Sequence, residues 1–148
     1  MTSDERPRTP RPPERDYSHR DLLDKLGIRP GTAVAIAAEA GIVAPSLVER
    51  IATRTGTASC EDPLDVVLIS VDDGTDLTAV LRRWRPRLAP AGGIWLLTPK
   101  RGRPGWVDRG EVIAAGLAAG LVDNKICSVD DETGAIRFVI PKASRGTD

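Results

Sequence analysis

Two rhythms of apolar positions dominate the middle of this chain. Val66 to Val71 is a nearly continuous apolar run, the mark of a strand covered on both faces in a parallel sheet. Leu77, Val80, Leu81 and Trp84 then recur at helical spacing, with Leu88 beyond. Pro86 predicts a kink or an end near Arg85, because its ring clashes with a carbonyl one turn earlier. Pro90-Ala91-Gly92-Gly93 reads as a turn into a second buried strand, Ile94 to Leu97. Leu64 to Lys100 is therefore predicted to be a βαβ unit.

The pattern extends both ways. Ser18 is a plausible cap for a short helix with Leu22, Leu23 and Leu26 as its stripe and Gly27 as its stop. Arg29-Pro30-Gly31 turns into a first strand, Ala33 to Ala38. A helix starts at about Pro45, a favoured first position, buries Leu47, Val48 and Ile51, and stops at Gly56. After a basic Pro/Gly loop over 100–110, Glu111 to Leu121 predicts a helix whose Ala and Gly residues permit close packing. Two final strands, Lys125 to Val129 and Ala135 to Ile140, flank an acidic turn, with Ile136, Phe138 and Ile140 on one face. Alternating strands and helices argue an α/β fold, and the closing hairpin makes the last strand antiparallel to its neighbours.

Composition narrows the class. The 148 residues suit one domain with a substantial core, filled by aliphatic side chains since aromatics are 3%. Lysine plus arginine and aspartate plus glutamate are both 21, so no global field draws the chain to nucleic acid or an anionic membrane. No apolar run approaches the roughly 20 residues of a membrane span, and the N-terminus lacks the apolar core of a signal peptide; a cytoplasmic location is expected. Cys60 and Cys127 show no metal spacing, and the only histidine, His19, has no partner nearby in sequence, so no metal site is expected. Residues 1–16, rich in proline and charge, are expected to be a disordered tail, 17–142 a single domain and 143–148 a flexible end.

The layout resembles class I S-adenosylmethionine-dependent methyltransferases. KLGIRPGTAVAIAA is similar to their approach to strand 1, DVVLIS to their middle strand, and RLAPAGGIWLLTPK to their proline-glycine turn and following strand. Three passages resemble a small bacterial family catalogued as domain of unknown function 3052: YSHRDLLDKLGIRPG, GGIWLLTPK and GLAAGLVDNKICSVDDETGAIRFVIP. Both resemblances imply a Rossmann/methyltransferase-like three-layer sandwich. Its sheet is reduced to about five strands, mostly parallel, with an antiparallel C-terminal hairpin strand. They bring no catalytic residues.

Candidate chemistry gathers where strand 1 and the 66–71 strand end together. Glu39, Gly41, Asp72 and Asp73 are the candidate cofactor-binding residues, beside a helix start near Pro45. The competing role is local: Asp72-Asp73-Gly74 turns the chain and Asp73 or Asp76 caps the next helix. For Asp73 and Asp76 the local role leads; for Glu39 and Asp72 both stay open. Lys100 and Arg101, with Arg103, reach the same edge as candidate phosphate or carboxylate ligands, on a loop whose Gly102, Pro104 and Gly105 suit a lid. The acids about 20 positions after the first strand, Glu61 and Asp62, fall at the amino edge, whereas open α/β sheets bind ligands at the carboxyl edge. With one glycine in the cofactor loop and no room for the strands that should follow, no cofactor is expected, with S-adenosylmethionine as the rival. Expected function is a non-catalytic module binding a small molecule or a protein; the alternatives are a methyltransferase with a degenerate loop and a structural homodimer joined at the uncovered edge of strand 1.

Overall fold

The computed structural model describes residues 22–56 and 62–142. The Ser18 cap, His19, Cys60, Glu61 and the two tails expected from the sequence lie outside the described residues. A helix over residues 22–26, α1, ends at Gly27, whose φ of 79° is open to glycine without Cβ strain. There follow β1 (Val34–Ala38), α2 (Pro45–Thr55), β2 (Leu64–Ser70), α3 (Leu77–Trp84), a 3-10 turn (Arg85–Arg87), β3 (Leu88–Pro99), α4 (Arg109–Ala118), β4 (Val122–Ser128) and β5 (Thr133–Val139).

The strands form one sheet in the order β1-β2-β3-β5-β4. β1, β2 and β3 are parallel, and β5 runs antiparallel to both β3 and β4. The last strand thus inserts into the sheet, pairing Phe138 with Ile94 on one side and Asp123 on the other. That insertion explains why β5 is richer in apolar residues than β4, which carries Asp123, Asn124 and Lys125 at the rim.

Helices cover both faces, completing the expected three layers. Alternate residues of β2 divide between two cores: Val67 and Ile69 pack with Val80 and Leu81 of α3, Val112 of α4 and Phe138, while Val66 and Leu68 pack with Leu26, Leu47, Ile51 and Trp95. The Trp95 indole N–H donates to the Leu26 carbonyl at 3.1 Å, a buried bond that fixes α1 against the sheet.

Pro86 ends α3 as expected, converting its last turn to 3-10 geometry. Two local expectations change. Pro90 to Gly93 is not a turn before β3 but an irregular start of it, with a register shift against β2 between Leu64 and Val66. A Cβ on Gly92 would lie 2.6 Å from the Leu64 carbonyl oxygen, so only glycine fits there. Val48 is 36% exposed rather than core, because α2 rests on Leu47 and Ile51, one turn apart.

Candidate functional site

β1 and β2 end side by side, and the loop after β1 is fastened to β2 there. The Glu39 and Ala40 N–H groups both donate to the Ser70 carbonyl, at 2.8 and 3.0 Å. The Ser70 hydroxyl donates back to the Ala40 carbonyl at 2.7 Å. The Glu39 carboxylate turns to Arg83 of α3, 2.6 Å away. Gly41, with φ of 63°, carries the chain out of this clasp toward α2.

Asp72 and Asp73 also have local partners. Asp72 Oδ1 accepts from the Gly74 N–H at 2.9 Å and the Thr75 hydroxyl at 3.2 Å, closing a turn that leads to Asp76, the cap of α3 through the Ala79 N–H. The Asp73 N–H donates to the Gly105 carbonyl at 3.0 Å, pinning the β3–α4 loop to the β2–α3 turn. Gly105 needs its glycine twice over: its φ is 87°, and a Cβ would sit 3.1 Å from that of Asp72. The Arg103 and Trp106 N–H groups donate within the same loop to Lys100 and Arg103 carbonyls. Where the sequence suggested a lid, the segment is bonded along its length.

This loop divides the carboxyl edge in two. On the β1 side is a cavity of about 240 Å³, lined by Gly41, Ile42, Ser70, Asp72, Pro104 and Asp130. Glu39 and Asp73 are not part of its lining. On the far side a groove of about 630 Å³ takes in Lys100, Arg101, Trp106, Arg109, Ile126 and Cys127. Thr98 and Pro99 at the end of β3 border both. The sequence candidates therefore separate: Gly41 and Asp72 on the first cavity, Lys100 and Arg101 on the second, Glu39, Asp73 and Arg103 on neither.

Cys127 is a free, buried thiol. Burial pushes its pKa up, and the positive charges of Lys25 and Lys100 pull against that rise. Asp62 stands before β2 at the amino edge, paired with Arg87 at 2.8 Å. Among the described residues no group of three His, Cys, Asp or Glu side chains is placed to hold a metal ion, and no helix is long and apolar enough to cross a membrane.

Sequence reasoning passed over Ser70, Arg83 and Arg109. Ser70 ends an apolar strand with nothing to mark it. Arg83 sits in an arginine run on the exposed face of α3, where the residue type alone does not name a partner. In the same run Arg82 and Arg85 donate to the carbonyls of Ala118 and Gly120 at the end of α4, and Arg87 stacks over Trp84 at 4.6 Å. Arg109 looked like loop, but Asp108 caps a helix that begins there.

A mixed sheet in this order, with its antiparallel strand in the penultimate place and helices on both faces, defines a methyltransferase-like α/β fold. A S-adenosylmethionine-dependent methyltransferase of Aquifex aeolicus superposes with a TM-score of 0.61 at 10% identity, over 82% of this chain and 89% of that one. The geranyl diphosphate C-methyltransferase of Streptomyces coelicolor does so with a TM-score of 0.52 at 11% identity, over 86% and 79%. The chain belongs to the family described as protein of unknown function DUF3052, matched over residues 23–142. An uncharacterized protein of Mycobacterium tuberculosis and one of Mycobacterium bovis are each 37% identical over 87 residues, 58% of this chain. The match spans 54% of the length of those relatives.

Proposed function

We propose that the domain is a non-catalytic binding module on a methyltransferase scaffold. The observation that carries this is the Ser70 carbonyl accepting both the Glu39 and Ala40 N–H groups. Dinucleotide- and nucleoside-binding sheets offer free loop amides and glycines to a cofactor, and an acid about 20 residues on to its ribose. Here two amides are consumed, the Glu39 carboxylate is paired, and β1 is the edge of the sheet among the described residues, with no strand on its outer side to present a ribose-binding acid. The adjoining cavity of about 240 Å³ falls below the about 300–1,000 Å³ of drug-sized ligand sites. These residues do not fit S-adenosylmethionine.

Calorimetric titration and thermal shift with S-adenosylmethionine and its demethylated product separate this from the methyltransferase alternative. A ligand at 100 times its dissociation constant adds about 2.7 kcal/mol, or about 5–10 °C in Tm for a domain of this size. No heat and no shift are expected. A saturable shift with either compound overturns the proposal.

The edge of β1 supports a second reading, a homodimer. Ala33 accepts from the Asp65 and Val66 N–H groups and Glu39 donates to Ser70, so the alternate residues Val34, Ile36 and Ala38 aim their backbone groups away from β2. No described strand pairs with them. The strand, VAIAA, carries none of the charges, prolines or bulges that usually protect an edge.

A further inference from the structure

We propose that the groove between the start of α4 and the β4–β5 hairpin binds a small aromatic oxyanion. Its volume of about 630 Å³ lies within the range of small-ligand sites. Among the described residues three cations, Lys100, Arg101 and Arg109, line it against one carboxylate, Asp108. That carboxylate already accepts from the Gly110 N–H at 2.9 Å as the cap of α4. This local excess stands in a chain of formal net charge +0. Trp106, 37% exposed, and Ile126, 52% exposed, supply an apolar wall open to solvent.

The charges are positioned for a ligand with both an anionic and a flat apolar part. Lys100 continues directly from β3, its N–H donating to the Glu132 carbonyl at 2.8 Å and its Nζ to the Ser128 hydroxyl at 2.6 Å. Two of its three ammonium hydrogens remain for an oxyanion. The Arg101 guanidinium lies 5.4 Å from the centre of the Trp106 ring. An aromatic ring can take that place on the indole, releasing the guanidinium to pair with the ligand's oxygens. Carboxylate and phosphate share this chemistry.

The inference rests on the binding-module proposal and deepens it, and titration of the full chain tests the two separately. The probes are phenyl phosphate, benzoate, inorganic phosphate and benzyl alcohol. At least one aryl oxyanion is expected to saturate about tenfold or more tighter than inorganic phosphate, with no heat from benzyl alcohol; the tighter of the two identifies phosphate or carboxylate. Lys100→Gln and Trp106→Ala should each weaken it about tenfold, the scale of one charged hydrogen bond or one stacking contact. Arg109→Gln and Ile126→Ser, at exposed positions, give the same direction if either of the first pair fails to fold by circular dichroism. Failure of both aryl compounds to saturate overturns the inference, as does binding unchanged by the folded variants or inorganic phosphate binding as tightly. S-adenosylmethionine binding that Trp106→Ala leaves intact would sink the module proposal without touching the groove.

Discussion

Gly116 tests the packing that holds the inserted strand in place. It lies on α4 facing β5, and an added Cβ would fall far inside van der Waals contact of Cε1 and Cδ1 of Phe138 and 3.0 Å from Cζ. Phe138 cannot easily retreat, since it is fully buried and its strand is paired on both sides. Overpacking costs about 1–3 kcal/mol, and the severity of this overlap places it at the upper end. Alanine recovers about 1 kcal/mol of helix propensity. Gly116→Ala should therefore destabilise by about 2 kcal/mol, lowering Tm by about 4–8 °C. Circular dichroism melts and urea midpoints measure this, with Ala114→Gly on the exposed face of the same helix as the control for propensity alone. Phe138→Leu in the Gly116→Ala background should cost less than the sum of the two single changes. A Gly116→Ala protein melting at or above the wild type would refute the idea that α4 presses on Phe138.

Cys127 carries a pH prediction. Its raised folded pKa means that its contribution to stability is complete below the unfolded thiol's pKa and is lost as pH rises through the folded value. In a Cys60→Ser background the urea midpoint should fall more steeply above the ordinary thiol range than it does in the Cys127→Ala partner. Alkylation by iodoacetamide at pH 8 should be slower than in urea; equal rates would contradict burial of the thiol. For the edge of β1, light scattering should give twice the chain mass at high concentration, and Ala38→Pro, which removes one outward N–H, should return it to the monomer. A monomer mass at every concentration removes the homodimer.

Much of the sheet was legible because its strands are continuous apolar runs and its helices carry clear stripes at Leu47/Ile51 and Leu77/Val80/Leu81/Trp84. Pro45, Gly27 and Gly56 mark helix ends through their own backbone chemistry, so those boundaries agree with the structure. The start of β3 was missed because Pro90-Ala91-Gly92-Gly93 reads locally as a turn, while its pairing with Leu64 and the close approach of Gly92 are set by a strand distant in sequence. The candidate site was less legible. Asp72 and Glu39 carry the residue types that bind ligands, yet what they touch depends on Thr75 and Arg83. The loop between the cavity and the groove is pinned in part by a backbone bond, from Asp73 to Gly105, that no residue type announces.

In the binding-module proposal, the clasp between Ser70 and the loop after β1 is what closes the cofactor loop. Residue-resolved amide hydrogen exchange of the free protein, and of the protein with 1 mM S-adenosylhomocysteine (about a saturating level for a micromolar site), reads that clasp without any assumption about activity. Glu39 and Ala40 amides held by Ser70 should be protected well above the amide of the exposed residue Ile42, and the added compound should leave them unchanged. Rapid exchange of both amides in the free protein, slowed when the compound is added, would mean that the loop is open for a cofactor and would overturn the binding-module proposal.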